Sequence, residues 1–203
     1  MGKYFLVLLL IILSIITTYI FTPRPFIAHH HANFAVYTNG EKWDFSPATY
    51  MEEVSRCNVT EGVTPQDRIH LHDGKGGLIH VHMAASTWGD LFANIGWGIG
   101  TDYVNSGYNN MRLTDNMHSL YYIINGAIVL NPANIPVEST DRLVVWYGTG
   151  TSKEILAKWD TLVDRDAMEY NQKSDPASCS ANTYGWLSPI VTPIMEWVEH
   201  NIE

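Results

Sequence analysis

The chain has 203 residues, of which 46% are hydrophobic and 16% are charged, and this balance excludes a disordered tail or a low-complexity fibre. Its 12 lysine and arginine residues stand against 21 acidic residues, a formal net charge of -9 at pH 7. Nucleic-acid-binding proteins neutralise phosphates with basic side chains, so we expect no nucleic acid among the partners. The length suits one domain with appendages around a single core.

Residues 1–28 are interpreted as an N-terminal membrane anchor and connector. Tyr4 to Phe21 carries no charged side chain, and at about 1.5 Å per helical residue this segment nearly crosses a hydrocarbon core of about 30 Å. A cleaved secretory signal is the alternative, because Lys3 supplies a short positive region before it. Cleavage after Ala28 lacks the small residue expected at position -3, which favours the uncleaved anchor. Both interpretations place the rest of the chain outside the cytoplasm, and the first predicts a single-pass protein of the cell membrane.

Two cysteines follow the predicted anchor, and their spacing is not that of a metal site. Cys57 and Cys179 agree with an oxidising compartment. A disulfide between them would join the C-terminal part of the chain to its body and stabilise the fold by about 4–5 kcal/mol. Two unpaired thiols are the alternative.

The first structured elements are predicted to be a hairpin and a helix. Asn33 to Tyr37 alternates like a strand, and the Asn39-Gly40 pair that follows is a strong hairpin signal. Lys42 to Phe45 would be the return strand. Ser46 followed by a proline then predicts the start of a short helix ending near Arg56.

The middle of the chain predicts a second hairpin and another short helix. Asp67 to Met83 is interpreted as two strands around a glycine-rich turn. A helix over Trp88 to Asn94 is capped by Ser86 or Thr87. The glycine- and asparagine-rich stretch from Gly98 to Asn110 is typical of an irregular loop.

Further strands and two helices complete the pattern. His118 to Ile124 and Ala127 to Leu130 are predicted strands joined by an Asn-Gly turn, and Leu143 to Tyr147 is a last core strand. Residues 151–203 form a helical extension, with one helix starting at a capping box at Thr151 and another at Ser188-Pro189. Hairpins mixed with helices, without βαβ alternation, indicate an α+β fold over residues 29–150.

Short motifs in this region carry a resemblance to a known fold. Thr87 to Phe92, the strand end at Ile124-Asn125-Gly126 and the run Ser139 to Val145 resemble the ubiquitin-like β-grasp fold, closest to its sulfur-carrier branch. The resemblance covers about Asp67 to Gly148 and implies a mixed sheet, to which the first hairpin is an addition. Sulfur carriers end in a free Gly-Gly, whereas Gly76-Gly77 is internal here, so carrier chemistry is not implied. The predicted anchor together with His-x-His pairs also resembles uncharacterised membrane-anchored exported prokaryotic proteins, a resemblance that implies no function.

Histidines are the strongest chemical signal. The chain has 9 of them, and six fall in three His-x-His pairs where chance would supply roughly 0.4 pairs. Residues two apart in a strand point to the same side, so each pair is a candidate platform with two nitrogens. The pairs are His29 and His31, His70 and His72, and His80 and His82.

The register of the second hairpin decides whether two of these pairs meet. A three-residue loop ending at Gly77 sets His72 opposite His80 and His70 opposite His82, so that four imidazoles share one face. A two-residue loop would shift the pairing by one residue and scatter them. We prefer the three-residue loop because it also places four apolar residues together on the opposite face, towards the short helix. Those residues are Ile69, Leu71, Ile79 and Val81.

Imidazole nitrogens at this spacing predict a transition-metal site. Nitrogen ligands suit zinc, copper or iron rather than calcium or magnesium, and we expect zinc or copper. A solvated, histidine-rich surface is the alternative. His29 and His31 either complete the ligand set or belong to a flexible polar stub. Asp73 is either a ligand or second-sphere acceptor, or simply a turn residue. Met83, His118 and His200 are interpreted as structural.

Three functions from different classes remain open. The first is a membrane-anchored extracytoplasmic protein that binds a transition metal through the histidines. The second is an accessory subunit that docks on a membrane-protein or surface partner through its C-terminal amphipathic helix. The third is a metalloenzyme using the same histidines, although the chain has no His-Glu-x-x-His, Gly-x-Ser-x-Gly or Walker motif. Cleavage after Ala28 would give His29 a free amine and allow a copper brace. We rank the metal-binding protein first, the accessory subunit second and the enzyme third.

Overall fold

The computed structural model describes residues 11–14, 27–52, 65–107 and 110–173, and these form an α+β fold with a mixed sheet. Residues 11–14 are helical, and Ala48–Tyr50 forms a single 3₁₀ turn. The strands are β1 (Ile27–Thr38), β2 (Glu41–Lys42), β3 (Ile69–His70), β4 (Leu78–Met83), β5 (Gly98–Ile99), β6 (Tyr103–Asn105), β7 (Met111–Leu113), β8 (Ser119–Ile124), β9 (Ala127–Val129) and β10 (Arg142–Gly148). The helices are α1 (Pro65–Arg68), α2 (Trp88–Asn94), α3 (Ser152–Leu162) and α4 (Ala167–Tyr170).

The main sheet is built around its longest strand, β1. The order is β3-β4-β1-β10-β8-β9, with β2 paired to the end of β1. β1 runs parallel to β10, and the other pairs in this sheet are antiparallel. A small antiparallel sheet has the order β5-β6-β7. The sequence predicted the β1–β2 hairpin as an addition to a mixed sheet. The hairpin forms, but β1 also pairs with β10 on one side and with β4 on the other, so it lies inside the sheet.

Two Asn-Gly turns form where the sequence predicts them. Asn39 and Gly40 both have positive φ, 53° and 86°, and pair Thr38 with Glu41 in the β1–β2 hairpin. Asn125 and Gly126 do the same, with φ of 50° and 83°, between β8 and β9. These angles match a type I′ turn, whose twist suits an antiparallel pair.

The helix predicted from Ser46 to Arg56 is wrong in the part the structure describes. Only the 3₁₀ turn forms there, and Met51 returns to an extended backbone with φ of -98° and ψ of 140°. The Ser46 N–H donates to Asp44 Oδ1 at 2.8 Å, so the predicted cap residue is itself held in a local turn. Residues 53–56, where the helix would continue, lie outside the described part.

One face of the sheet packs on α2 to form the larger core. Thr87 caps α2 through a capping box with Asp90, which satisfies free backbone N–H groups at the helix start. The four apolar residues predicted to face this helix are fully buried in the same cluster as its apolar side chains, so that prediction is confirmed. The shared core residues are Ile69, Leu71, Ile79, Val81, Trp88, Leu91 and Phe92.

The opposite face of the sheet is covered by α3 and α4. α3 begins with the predicted capping box between Thr151 and Glu154 and packs on β10 and β8. α4 lies against β1, where Asn33 Oδ1 accepts from the Ala167 N–H at 3.0 Å. The helix predicted to start at Ser188 lies outside the described residues.

No transmembrane helix is supported. Of the predicted span only residues 11–14 are described, and within the described ranges no helix is long and apolar enough to cross a membrane. The longest described helix, α3, has 11 residues, whereas a span needs about 20 mainly apolar ones. This finding contradicts the predicted single-pass anchor and the predicted membrane location.

The predicted disulfide is also unsupported. Cys57 and Cys179 both lie outside the described residues, and the part of the chain that the structure describes contains no other cysteine. The resemblance to the β-grasp fold stays a prediction, since a mixed sheet alone does not identify that fold. The strand at the centre of the sheet, β1, also precedes the range to which the resemblance was assigned.

The β3–β4 connection is longer than predicted, and its register differs by two residues. His70 pairs with His80, not with His82. Seven residues separate the two short strands, and the chain at Gly76 lies against another loop. A Cβ at Gly76 would lie 2.5 Å from both the Phe45 carbonyl carbon and the Ser46 nitrogen. Two successive turns replace the three-residue loop, since the Lys75 N–H donates to the His72 carbonyl at 3.2 Å and the Leu78 N–H donates to the Lys75 carbonyl at 3.3 Å.

We expect Gly76→Ala to destabilise the protein by about 1–3 kcal/mol, because two backbone atoms would have to move. The neighbouring Gly77→Ala is the matched control, since its Cβ would lie 3.3 Å from the exposed Asp164 carboxylate, which can rotate away. Its cost should be about 0.5 kcal/mol or less. Urea unfolding of both variants measures the difference, and equal effects would contradict the close approach.

Candidate metal centre

All three His-x-His pairs lie on one face of the sheet, on three neighbouring strands. We call this surface the histidine face. β1 and β4 each carry one pair, and the third begins at the end of β3. His31 is the pairing partner of His80 across β1 and β4, and His70 is the partner of His80 across β3 and β4. The members are His29, His31, His70, His72, His80 and His82.

Most of the histidine face is buried, so it is not the solvated surface that was the alternative interpretation. His31, His72 and His80 are each 3% exposed and His70 is 5% exposed. His82 is partly buried and His29 is exposed. The chain after β10 provides part of the cover, because α4 and Asn171 contact β1 beside His31. Buried imidazoles need partners other than water.

Ring nitrogens converge at the centre of this face. His31 Nε2 lies 3.0 Å from His80 Nδ1, and His72 Nε2 lies 2.8 Å from the same atom. One nitrogen from each of His29, His31 and His80 also lies within 4.8 Å of the other two. These three histidines are close enough together to hold a metal ion.

Oxygen acceptors set the tautomers of two rings. Asn171 Oδ1 accepts from the His31 backbone N–H at 2.7 Å and from His31 Nδ1–H at 2.8 Å. His70 Nδ1–H donates to the Gln66 carbonyl at 2.7 Å. Because a neutral imidazole has one proton, these bonds leave the lone pair of each ring on Nε2. Such hydrogen bonds are typical around metal-bound histidines, where they orient the ring.

The Asp73 carboxylate lies beside the ring of His72. Its carboxylate oxygen Oδ2 lies 3.0 Å from His72 Nδ1, outside hydrogen-bond geometry, and its side chain is 57% exposed. This charge favours a proton on Nδ1 of His72, which again leaves the lone pair on Nε2. Asp73 also has a positive φ of 58°, so it serves the turn as well.

The ring nitrogens at the centre carry too few protons for every contact between them to be a hydrogen bond. Two Nε2 lone pairs, from His31 and His72, face His80 Nδ1, which carries at most one proton. His80 Nε2 and His82 Nε2 are buried and have no hydrogen-bond partner in the part of the chain that the structure describes. A cation bound by the converging lone pairs would compensate them, whereas the rings alone cannot satisfy one another.

Burial keeps the central rings neutral. Loss of water lowers the pKa of His80 far below its usual range, and the neighbouring histidines, first His72, lower it further. The pKa of His82 falls to about 3, again chiefly by burial and then through His70. Neutral imidazole is the form that ligates metals, so both rings have lone pairs at neutral pH.

Other polar residues lie apart from this cluster. His30 Nε2–H donates to the Val137 carbonyl at 3.0 Å. His118 contacts the Asp115 carboxylate and stacks on Tyr147, a structural arrangement. Met83 ends β4, and His200 lies outside the described residues. Asn171 and Gln66 were missed by the sequence interpretation, because neither belongs to a motif.

No protein-family model matches the chain, and neither a curated protein nor a solved structure matches it. The class of protein is therefore inferred from the geometry of the histidine face.

We expect acid to destabilise the metal-free protein, beginning near pH 6.5. The folded-state pKa of His82 is about 3, below the unfolded value of about 6.5, so the unfolded chain binds the proton first. For each such ring, the free energy of unfolding falls by about 1.4 kcal/mol per pH unit below about pH 6.5. Carboxylates whose pKa is lowered, such as those of Asp160 and Glu169, affect stability only below about pH 4.5.

Urea unfolding of the metal-free chain at pH 7.5, 6.5, 5.5 and 5.0 measures this loss. His118→Ala is the control, because it removes a histidine outside the histidine face, and the loss of stability below about pH 6.5 should persist in it. A free energy of unfolding that stays constant from pH 7.5 to 5.0 would contradict the burial of neutral rings.

Proposed function

We propose that this protein binds a transition-metal ion, zinc or copper, through His29, His31 and His80, with His72 beside His80 as a further ligand. The observation that carries the proposal is the approach of two Nε2 atoms to His80 Nδ1, at 3.0 and 2.8 Å, in a buried environment. His80 Nδ1 carries at most one proton, so it can donate to only one of these two Nε2 atoms. With an ion, the lone pairs of these nitrogens become its ligands.

The chemistry of the ligands supports this class of metal. Every ligand at the centre is an imidazole nitrogen, and such ligands suit zinc and copper, whereas calcium and magnesium prefer oxygen. The acceptors behind His31 and His70 orient those rings as acceptors do around metal-bound histidines.

The burial of the rings favours a structural or storage site over a catalytic one. Structural zinc sites are closed by protein ligands, whereas catalytic sites keep a position open for water or substrate. Three histidines form the group of converging nitrogens, and two of them, His31 and His80, are 3% exposed, as is the neighbouring His72. We therefore propose metal holding as the activity, with the ion stabilising the fold or being stored, rather than catalysis.

Competition with a chromophoric chelator for Zn²⁺ and Cu²⁺ tests the proposal on the full chain at pH 7.5. We expect His72→Ala, and separately His80→Ala, to weaken binding by about 100-fold or more, since each removes a ligand. His118→Ala is the matched control and should bind like the wild type.

Thermal unfolding adds a second measurement, because an ion that binds only the folded state stabilises it by about 2.7 kcal/mol at 100 times the dissociation constant. His72→Gln serves where the alanine variant does not fold. Absence of zinc and copper binding by the wild type, or unchanged affinity in the folded His72 and His80 variants, would overturn the proposal.

Asn171 provides an independent test of ligand orientation. Asn171→Ala removes the acceptor of His31 Nδ1–H and should weaken metal binding by about 10–100-fold. Asn171→Asp keeps an acceptor oxygen and adds negative charge, so it should bind at least as tightly as the wild type. Chelator competition measures both variants, and equal weakening would contradict the orienting role of Asn171.

A further inference from the structure

A buried asparagine, Asn33, lies on β1 beside the histidine face. It comes two residues after His31, so both side chains are on the same side of the sheet. Asn33 is 0% exposed, and its amide bonds to two other segments of the chain. Nδ2 donates to the Gly77 carbonyl at 3.1 Å and to Asp166 Oδ1, and Oδ1 accepts from the Ala167 N–H at 3.0 Å. Asn33 therefore joins β1 to the start of α4.

The helix α4 has few other means of staying on the sheet. It has four residues, whereas isolated helices shorter than about 12–15 residues are marginal in water. Ala167 is its one buried residue, and Met168 is 61% exposed. An alanine side chain buries little apolar area. The docking of α4 on the sheet therefore depends largely on polar contacts at its two ends.

The far end of α4 contacts the proposed ligand His31. Asn171 follows the helix directly, and its N–H donates to the Ala167 carbonyl at 2.9 Å. Its Oδ1 accepts from both the backbone N–H and Nδ1–H of His31. Its Nδ2 donates to Ser139 Oγ at 2.9 Å, which fixes the end of the amide that faces His31. One helical turn thus connects Asn33 to the acceptor that orients His31.

We propose that Asn33 is a positioning residue of the metal site, which holds α4 in place so that Asn171 orients His31 towards the ion. This inference rests on the proposed function, because it requires His31 to be a ligand. Coupling between two binding events is reciprocal. If docked α4 strengthens binding of the ion, the bound ion must strengthen docking of α4 by the same factor.

A general structural role for Asn33 predicts a different result. Asn33 also bonds to the Gly77 carbonyl, so its loss disturbs the sheet as well as α4. If Asn33 acts through Asn171, its substitution costs no further metal affinity once Asn171 has been replaced. A disturbance of the sheet that is independent of Asn171 weakens binding equally in both backgrounds, and a double-mutant cycle separates the two cases.

Chelator competition for Zn²⁺ and Cu²⁺ on the full chain at pH 7.5 provides this cycle. We expect Asn33→Ala and Asn171→Ala each to weaken binding by about 10–100-fold, and the double variant to lie within about threefold of Asn171→Ala. Tyr37→Phe is the matched control, because it also removes a bond from β1 to the helical segment, donated to the Leu162 carbonyl at 2.9 Å. It should bind like the wild type. Asn33→Ser replaces Asn33→Ala if the latter does not fold.

Hydrogen exchange measured by mass spectrometry tests the reciprocal effect. Binding of the ion should slow exchange in a peptide covering residues 166–171 by about 10-fold or more in the wild type, and by much less in Asn33→Ala. Exchange in this peptide that the bound ion leaves unchanged would overturn the coupling.

The outcomes separate this inference from the proposed function. A wild type that binds an ion, together with unchanged affinity in folded Asn33→Ala, would overturn only the role of Asn33. Losses of affinity that multiply in the double variant would also overturn that role. A wild type that binds neither ion would overturn the proposed function and this inference with it.

Discussion

The alternation of side chains along a β-strand is the constraint on which the histidine face depends. Residues two apart share a side, so each His-x-His pair stays together only if its strand keeps an even register with its neighbour. The β3–β4 register differs from the predicted one by two residues, and the histidines still share one face. A difference of one residue would have turned His70 into the α2 core and Ile69 out of it.

Opposite sides of β4 illustrate two ways of burying a strand. Ile79 and Val81 are buried against the apolar side of α2, where the hydrophobic effect suffices. His80 is as buried as they are, yet it is surrounded by rings with the same chemistry. A hydrophobic side needs only shape and volume, whereas a polar side also needs every donor matched by an acceptor. We therefore propose the metal-binding function for the histidine face and not for the apolar face.

Local signals allowed part of this fold to be predicted from sequence. The Asn39-Gly40 turn, the capping boxes at Thr87 and Thr151, and the apolar alternation of β4 each depend on residues close in the chain. Such local signals do not predict long-range contacts. Nothing near His31 indicates that it bonds to Asn171, 140 residues later. The predicted membrane span relied on hydropathy alone, and no described helix supports it.

The parallel pairing of β1 with β10 has a consequence for how the molecule assembles. More than a hundred residues separate the partners Asn33 and Arg142, so the sheet closes only after most of the chain has emerged from the ribosome. Contacts of such separation make folding slow, because loop-closure entropy is lost before the strands gain their partners. His31 belongs to β1, and its neighbours in space come from the middle and the end of the chain. The histidine face therefore forms late, and nascent fragments lack the convergence of its rings.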